Sequence, residues 1–261
     1  MRPIATHPKR RAQRNERYMR FATIIRVLRR FIWLGLIVCA LLVAFVWLKP
    51  GRQDMPWTPL VLGEPVGLST GRKVVQLTGD RAGCLALLET SGLAFDALEP
   101  RGTDQCRVAD AVRLNAGQAM LSLAPASIAP SCPVMIGMLI WQTQVVQPHA
   151  QEIFGAQVAR IETFGSFSCR RMYGRDSGAW SEHATADAID VSGFVLTDGR
   201  RISVLADWSG GDDKALFLKR VRDGACEVFS TVLSPDYNAA HNDHLHIDLA
   251  DRGAMGWRAC R

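Results

Sequence analysis

The chain predicts an α+β fold: a mostly antiparallel central sheet with flanking helices, preceded by one N-terminal transmembrane helix. Three observations carry this. Residues 31–48 are apolar without a charged interruption. The second half of the chain is rich in strand formers punctuated by turn signals, the strongest being Asp198-Gly199 between Ala188–Leu196 and Arg201–Ala206. Two helical patterns, Val134–Ile153 and Asp212–Arg222, are long enough to cover such a sheet.

Charge separates the first segments. The 261 residues carry 31 Lys and Arg against 25 Asp and Glu. Ten of the cations and one acid, Glu16, fall in residues 1–30, leaving 21 against 24 in the remainder, a balance of −3. The basicity belongs to a tail. Next comes the apolar run Phe31–Leu48. As a helix its eighteen residues rise about 27 Å, enough with small adjustments for a hydrocarbon core of about 30 Å. Trp33 and Trp47 stand near its two ends, where amphipathic rings favour the interface. Positive charge on the N-terminal side predicts a cytoplasmic tail (1–30), a transmembrane signal anchor (31–48) and an exported body. The run exceeds the roughly 7–15 apolar residues of a cleaved signal, and Lys49-Pro-Gly-Arg-Gln-Asp holds no small-x-small cleavage site. The acidic body lacks a basic aromatic patch, so nucleic acid is not an expected partner.

Cysteine usage agrees with export. Cys39 lies in the span and reads as a small apolar residue. The other six, Cys84, Cys106, Cys132, Cys169, Cys226 and Cys260, form no C-x-x-C pair and read as three disulfides. Of the fifteen possible pairings, the preferred set is Cys84–Cys106, Cys132–Cys169 and Cys226–Cys260.

Residues 49–75 hold four prolines and four glycines and read as a linker. Residues 76–128 read as a small N-terminal subdomain with a packing role. In it Cys84–Gly92 suggests a short helix and Arg107–Leu123 two short strands. The main domain is 129–261. Pro133 suits the first turn of a helix and Pro148 breaks it. Gln157–Phe167 reads as a strand and Asp176-Ser-Gly178 as a loop. Asp212 caps a helix that Gly224 ends. Val228–Leu233 is a short apolar run, Ser234–Ala240 a loop, and His244–Leu249 alternates like a last strand. His149 reads as structural, Asp187 and Asp248 as solvated or capping groups, and Asp207-Trp208 as packing.

Four of the six histidines lie in Ser181–Asp190 and His241–His246. Imidazole and carboxylate are the ligands Zn²⁺ favours in open hydrolytic sites. Asp190 on one strand and His246 on a neighbour stand side by side if the strands pair. His183, seven residues before Asp190, completes a three-ligand set on a chain that folds back. The sheet then carries a single zinc site. His244 lies two residues before His246 and so on the same strand face. His244 or Asp243 is the candidate proton-transfer group.

The pattern Ser181-x-His183-x₄-Ala188-x-Asp190 with His244-x-His246 resembles the zinc peptidases grouped with lysostaphin, D-Ala-D-Ala peptidases and the hedgehog signalling domain. Residues from about 80 to 261 look like the bacterial extensin-like C-terminal family. The supporting pieces include Cys132-Pro, Gln147-Pro148, Ser168-Cys-Arg-Arg, Ser181-Glu-His-Ala, Asp207-Trp208 and His241-x-Asp-His-x-His246. The resemblance implies Zn²⁺ on His183, Asp190 and His246, His244 as the non-ligating active-site histidine, and His241 in the cleft. Asp243 stands where D-Ala-D-Ala peptidases carry a catalytic glutamate, one methylene shorter. Arg170 is a candidate for polarising the scissile carbonyl, with a structural ion pair as the competing reading. The expected function is a bacterial inner-membrane, periplasm-facing zinc metallopeptidase acting on peptidoglycan stem peptides or cross-links. The alternative is a non-catalytic wall-binding or scaffold protein with a structural zinc.

Overall fold

The computed structural model describes residues 8–49, 51–115, 117, 120–253 and 257–261. The first seven residues of the basic tail lie outside the described residues. The chain divides into two compact units, Met1–Pro50 and Gly51–Arg261.

The first unit is one helix, α1 (Pro8–Leu48). Pro8 suits a first helical turn, where its missing N–H has no intrahelical partner to lose. Tail and apolar run are thus continuous. Within α1, Thr23–Trp47 has a mean hydropathy of 2.3 and is long and apolar enough to cross a membrane. Phe31, Leu34, Leu41 and Val46 are all exposed, an all-round apolar surface that suits lipid.

In the second unit, residues 51–75 do more than connect. They form a turn at Arg52–Asp54 and α2 (Thr70–Val75), and Val74 is fully buried in the core. The Lys73 ammonium is buried with them and donates to Arg52 O, Gln53 Oε1 and Thr58 Oγ1 at 2.9–3.2 Å. Proline and glycine here rule out long elements without preventing packing.

Next come α3 (Arg81–Glu89), the hairpin of β1 (Phe95–Ala97) and β2 (Val112–Leu114), and β3 (Leu123–Ala124). Helix α4 (Cys132–Trp141) is buried along its whole length. It runs through a wide π-type turn, Gln142–Val146, into α5 (Gln147–Phe154). The helix expected to break at Pro148 therefore continues. Proline lacks an N–H and crowds the carbonyl one turn back, and the widened turn just before it gives it room. Gly155, with φ 64°, ends α5.

The main sheet is built from β4 (Val158–Gly165), β5 (Ala188–Leu196), β6 (Arg201–Ser203), β7 (Thr231–Leu233), β8 (Leu245–Asp248) and β9 (Ala259–Cys260), together with β3. Its order is β3-β4-β5-β8-β7-β9, with β6 pairing the far end of β5. The expectation of a mostly antiparallel sheet is corrected: the sheet is mixed. The interior pairings are antiparallel, but β3 joins β4 and β9 joins β7 in parallel. Both parallel strands are two residues long, too short to leave a periodic signal. The Asp198-Gly199 turn joins β5 to β6 as expected, but β6 stops at Ser203 and α6 (Val204–Asp207) follows.

Helix α7 (Asp213–Val228), capped by Asp212 Oδ1 accepting from Ala215 N, runs four residues past Gly224. Gly224 is not a stop. A Cβ there would lie 2.3 Å from Val145 Cγ1, so glycine permits α7 to close on the π-type turn. Phe194 of β5 touches Trp141 and Phe217, and Trp141 Nε1 donates to Val221 O at 2.8 Å. These contacts fix α4 and α7 against the central strand.

The disulfides are Cys84–Cys132, Cys106–Cys169 and Cys226–Cys260. Only the third matches the expected set. Helix α3 lays Cys84 against the start of α4, and the turn at Asp104–Cys106 reaches the loop after β4. Nearness in sequence misled here because residues 81–128 wrap the main domain.

Candidate metal centre

Strand register places two of the candidate ligands. In the β5–β8 ladder Asp190 is directly opposite His246. His183 arrives from a single turn, Glu182–Ala184, whose first residue is preceded by Ser181; the Ser181 Oγ accepts from His183 N at 3.3 Å. Ala186, buried and at φ 64°, then reverses the chain into β5. The result is three side chains from three segments whose ligand atoms all lie within 4.8 Å of one another. His183 Nε2 is 3.2 Å from Asp190 Oδ1 and 3.1 Å from His246 Nδ1, and His246 Nδ1 is 3.0 Å from Asp190 Oδ1.

The outer partners decide what those atoms carry. His183 Nδ1 stands 3.1 Å from Ser166 O, and a carbonyl only accepts, so that nitrogen holds the proton and Nε2 is bare. His246 Nε2 donates to Asp248 Oδ2 at 3.1 Å, so in the neutral imidazole Nδ1 carries the lone pair. Two lone pairs and a carboxylate oxygen therefore converge, an arrangement that calls for positive charge between them. Ligand atoms about 2.0–2.1 Å from the centre of a tetrahedron stand about 3.3–3.4 Å apart. The observed spacings of 3.0–3.2 Å sit just inside that, so the residues fit a small cation such as Zn²⁺. A histidine braced by a carboxylate or carbonyl is the usual outer arrangement of such sites.

Electrostatics agree. Burial favours the neutral form of Asp190, but hydrogen bonds from His183 and His246 outweigh it and hold the carboxyl well below its usual range. Burial opposes charge on His246 as well, yet Asp190 and Asp248 push its pKa up to about 9. Both shifts say that a positive charge is stabilised at this point: a proton on a histidine nitrogen facing Asp190, which a bound cation would displace.

The remaining sequence candidates fall beside the cluster. His244 Nε2 lies 3.6 Å from Asp190 Oδ1, and its Nδ1 donates to Asp243 Oδ1 at 2.7 Å. Asp243 thus meets the site through His244. His241 packs on His244 and His246, with ring centroids 5.3 and 5.9 Å away, and donates through Nδ1 to Asn238 Oδ1 at 2.8 Å. Burial first, and the neighbouring histidines second, press its pKa down to about 4, so it is neutral. Arg170 is exposed, and among the described residues its guanidinium forms no hydrogen bond or ion pair, so the structural ion pair is not found. Asp190, the three C-terminal histidines, Arg170 and Tyr173 all line one cleft of about 330 Å³. A larger hollow of about 500 Å³, walled by Arg72, Phe229 and Trp257, contains none of the histidines.

Sequence reasoning missed two supports. From the sequence Asp248 reads as a solvated or capping group, yet it is buried and braces His246. The signal was available: His244, His246 and Asp248 alternate along one strand face. Ser166 contributes a backbone carbonyl, for which no side-chain pattern exists. Of the residues set aside, His149 pairs with Glu152 on α5 at 3.5 Å. Trp208 is buried with its Nε1 donating to Asp236, as a packing residue should be.

The family model of the extensin-like protein C-terminus matches residues 82–261. The chain belongs to the extensin-like family. All four cluster histidines, Asp190 and Asp248 lie inside the matched region of this extensin-like domain. No curated protein and no solved structure matches the chain.

Proposed function

We propose that this extensin-like protein is a zinc hydrolase that cleaves an amide in peptidoglycan stem peptides or cross-links. It would be held at the bacterial inner membrane by α1, with its C-terminal domain in the periplasm. One observation carries the reading: ligand atoms of His183, Asp190 and His246 converge at 3.0–3.2 Å, with Asp190 and His246 on the wall of a cleft and His183 buried behind them. The resemblance of these motifs to the lysostaphin and D-Ala-D-Ala peptidase group supports the same chemistry. Ten cations before the apolar span and three disulfides after it support the topology.

Zn²⁺ held by these three residues would supply a Lewis acid and lower the pKa of water towards about 7. The chain's own groups do the rest. Asp243 holds the Nδ1 proton of His244, so the lone pair at Nε2 faces Asp190 and the cleft. His244 takes a proton from the attacking water at Nε2 and returns it to the departing amine. Asp248 and Ser166 fix the orientation of the two ligand imidazoles. The competing reading, a structural zinc in a wall-binding protein, calls for a fourth protein ligand. The cluster among the described residues has three.

The test is digestion of purified peptidoglycan by the zinc-loaded full chain beside His246→Ala. Release of muropeptides by the wild type and none above background from the variant is expected. Equal release from both, or none from a wild type shown to hold zinc, would sink the hydrolase.

A further inference from the structure

The charges lining the cleft are unevenly matched. Among the described residues Asp190 is its one carboxylate, and both ligand histidines already engage it. Among the described residues Arg170 is its one basic side chain other than histidine. The neighbouring arginines are occupied: Arg171 donates to Gly178 O and lies 4.5 Å over the Trp180 ring, Arg101 lies over Phe167, and Arg175 over Tyr173. Arg170 has no such partner among the described residues. Its backbone, by contrast, is firmly placed. Cys169 is bonded to Cys106, and Arg170 O accepts from Ser181 N at 3.2 Å, on the segment that delivers His183. A free guanidinium is therefore held by covalent and backbone links on the wall that also carries the metal ligands.

A guanidinium is a rigid fork that matches a carboxylate with two parallel hydrogen bonds. With a divalent ion on His183, Asp190 and His246, the cleft carries excess positive charge until an anion enters. We infer that Arg170 is a specificity-determining residue that binds a substrate carboxylate, so that the cleft selects peptides with a free carboxylate beside the scissile amide. This rests on the hydrolase reading above and narrows it: the substrate is a peptide end or an acidic branch rather than the uncharged interior of a cross-link. The volume of about 330 Å³ lies at the small end of ligand clefts, roughly 300–1,000 Å³. In the reaction, water's oxygen bonds to the carbonyl carbon, the C–N bond breaks, and one water proton passes through His244 to the amine. Arg170 stays protonated throughout and only positions.

Two carboxylates meet this description, the C-terminal one and a branch carboxylate such as that of a γ-linked glutamate. The experiment separates them. The zinc-loaded full chain in detergent is given L-Ala-γ-D-Glu-L-Lys-D-Ala-D-Ala, the same peptide amidated at the C-terminus, and the same peptide amidated at the glutamate α-carboxyl. Removing one charged hydrogen-bonded pair is expected to lower kcat/KM by about 10- to 100-fold, mostly through KM. The wild type shows that loss on one amidated peptide only, which names the carboxylate. Arg170→Ala shows the same loss on the unmodified peptide and no further loss on that amide, while Arg170→Lys recovers part of it. The amide also serves as the control for folding of the variants. A wild type indifferent to both amidations overturns the inference and leaves the hydrolase standing. So does Arg170→Ala losing activity equally on all three, the result expected if Arg170 polarises the scissile carbonyl instead. A zinc-bound wild type that cuts none of the three, and behaves as His246→Ala does, overturns both.

Discussion

His183 and His246 each have a partner from far away in the chain; His241, against the His246 ring, and His244, beside the Asp190 carboxylate, are braced only by their own neighbours. Ser166 holds His183 from 17 residues away and Asp190 holds His246 from 56, while Asp248, two residues along the same strand, adds a local brace. Asn238 and Asp243 hold the second, three residues and one residue away. A partner supplied by another strand is fixed by the core, here the β4–β5–β8 ladder. A partner supplied by the same turn moves with it. The cluster therefore combines a ligand half that cannot shift without disturbing the sheet and a cleft half that can adjust to a substrate and carry a proton.

The largest expected effect tests whether the halves are separable. His244→Ala should lower kcat on a stem peptide by about 10²–10⁴-fold, the range for a lost general base, with one zinc per chain retained. Metal analysis of the variant decides the point. Loss of zinc together with activity would make His244 a ligand and erase the distinction.

An effect of the next size lies behind the ligands. Asp248→Asn keeps an acceptor for His246 Nε2 but removes the charge. Zinc affinity should fall about tenfold, the low end of the 10–100-fold seen for outer partners, while kcat at saturating zinc stays near wild type. Competition with a chelator measures the first and a zinc titration of activity the second. Unchanged affinity would reduce Asp248 to a packing group.

How much of this was legible in the sequence follows the same division. Asp190 and His246 could each be placed on a strand by local alternation, but their pairing rests on the long-range β5–β8 ladder, since the Asp198-Gly199 reversal brings back β6 instead. The bracing of His246 by Asp248 was equally visible in the alternation and was passed over. Ser166 O was not visible, since every residue has a carbonyl. The parallel edges β3 and β9 were hidden because a two-residue strand has no period. Gly224 was misread because its reason, the approach of Val145, lies on another helix. The disulfides Cys84–Cys132 and Cys106–Cys169 follow from how residues 81–128 wrap the domain, which spacing does not encode.

The smallest expected effect concerns what lies under the ligand half. The turn that leads from His183 into β5 packs on Ser131, whose N donates to Ala186 O, and the next residue, Cys132, donates through N to Asp110 O. Burial first, and the Asp187 charge second, raise the Asp110 carboxyl to about 6 from 3.8. A carboxyl raised on folding is neutral in both states below about pH 3.8, where its contribution to stability is complete. As pH rises through 6 the folded protein must ionise a partly buried group, and that contribution is lost. Asp110→Asn fixes the neutral form. The shift of about 2 units corresponds to about 3 kcal/mol, and the side chain's partial contact with water reduces this to about 1 kcal/mol. Denaturant unfolding with the disulfides intact should therefore find the variant about 1 kcal/mol more stable at pH 8 and equal to wild type at pH 3.5. A gain of the same size at both pH values would mean that the asparagine acts through packing. A loss at pH 8 would mean that the ionised carboxylate holds the turn behind His183, and the braced half would then depend on one more distant partner.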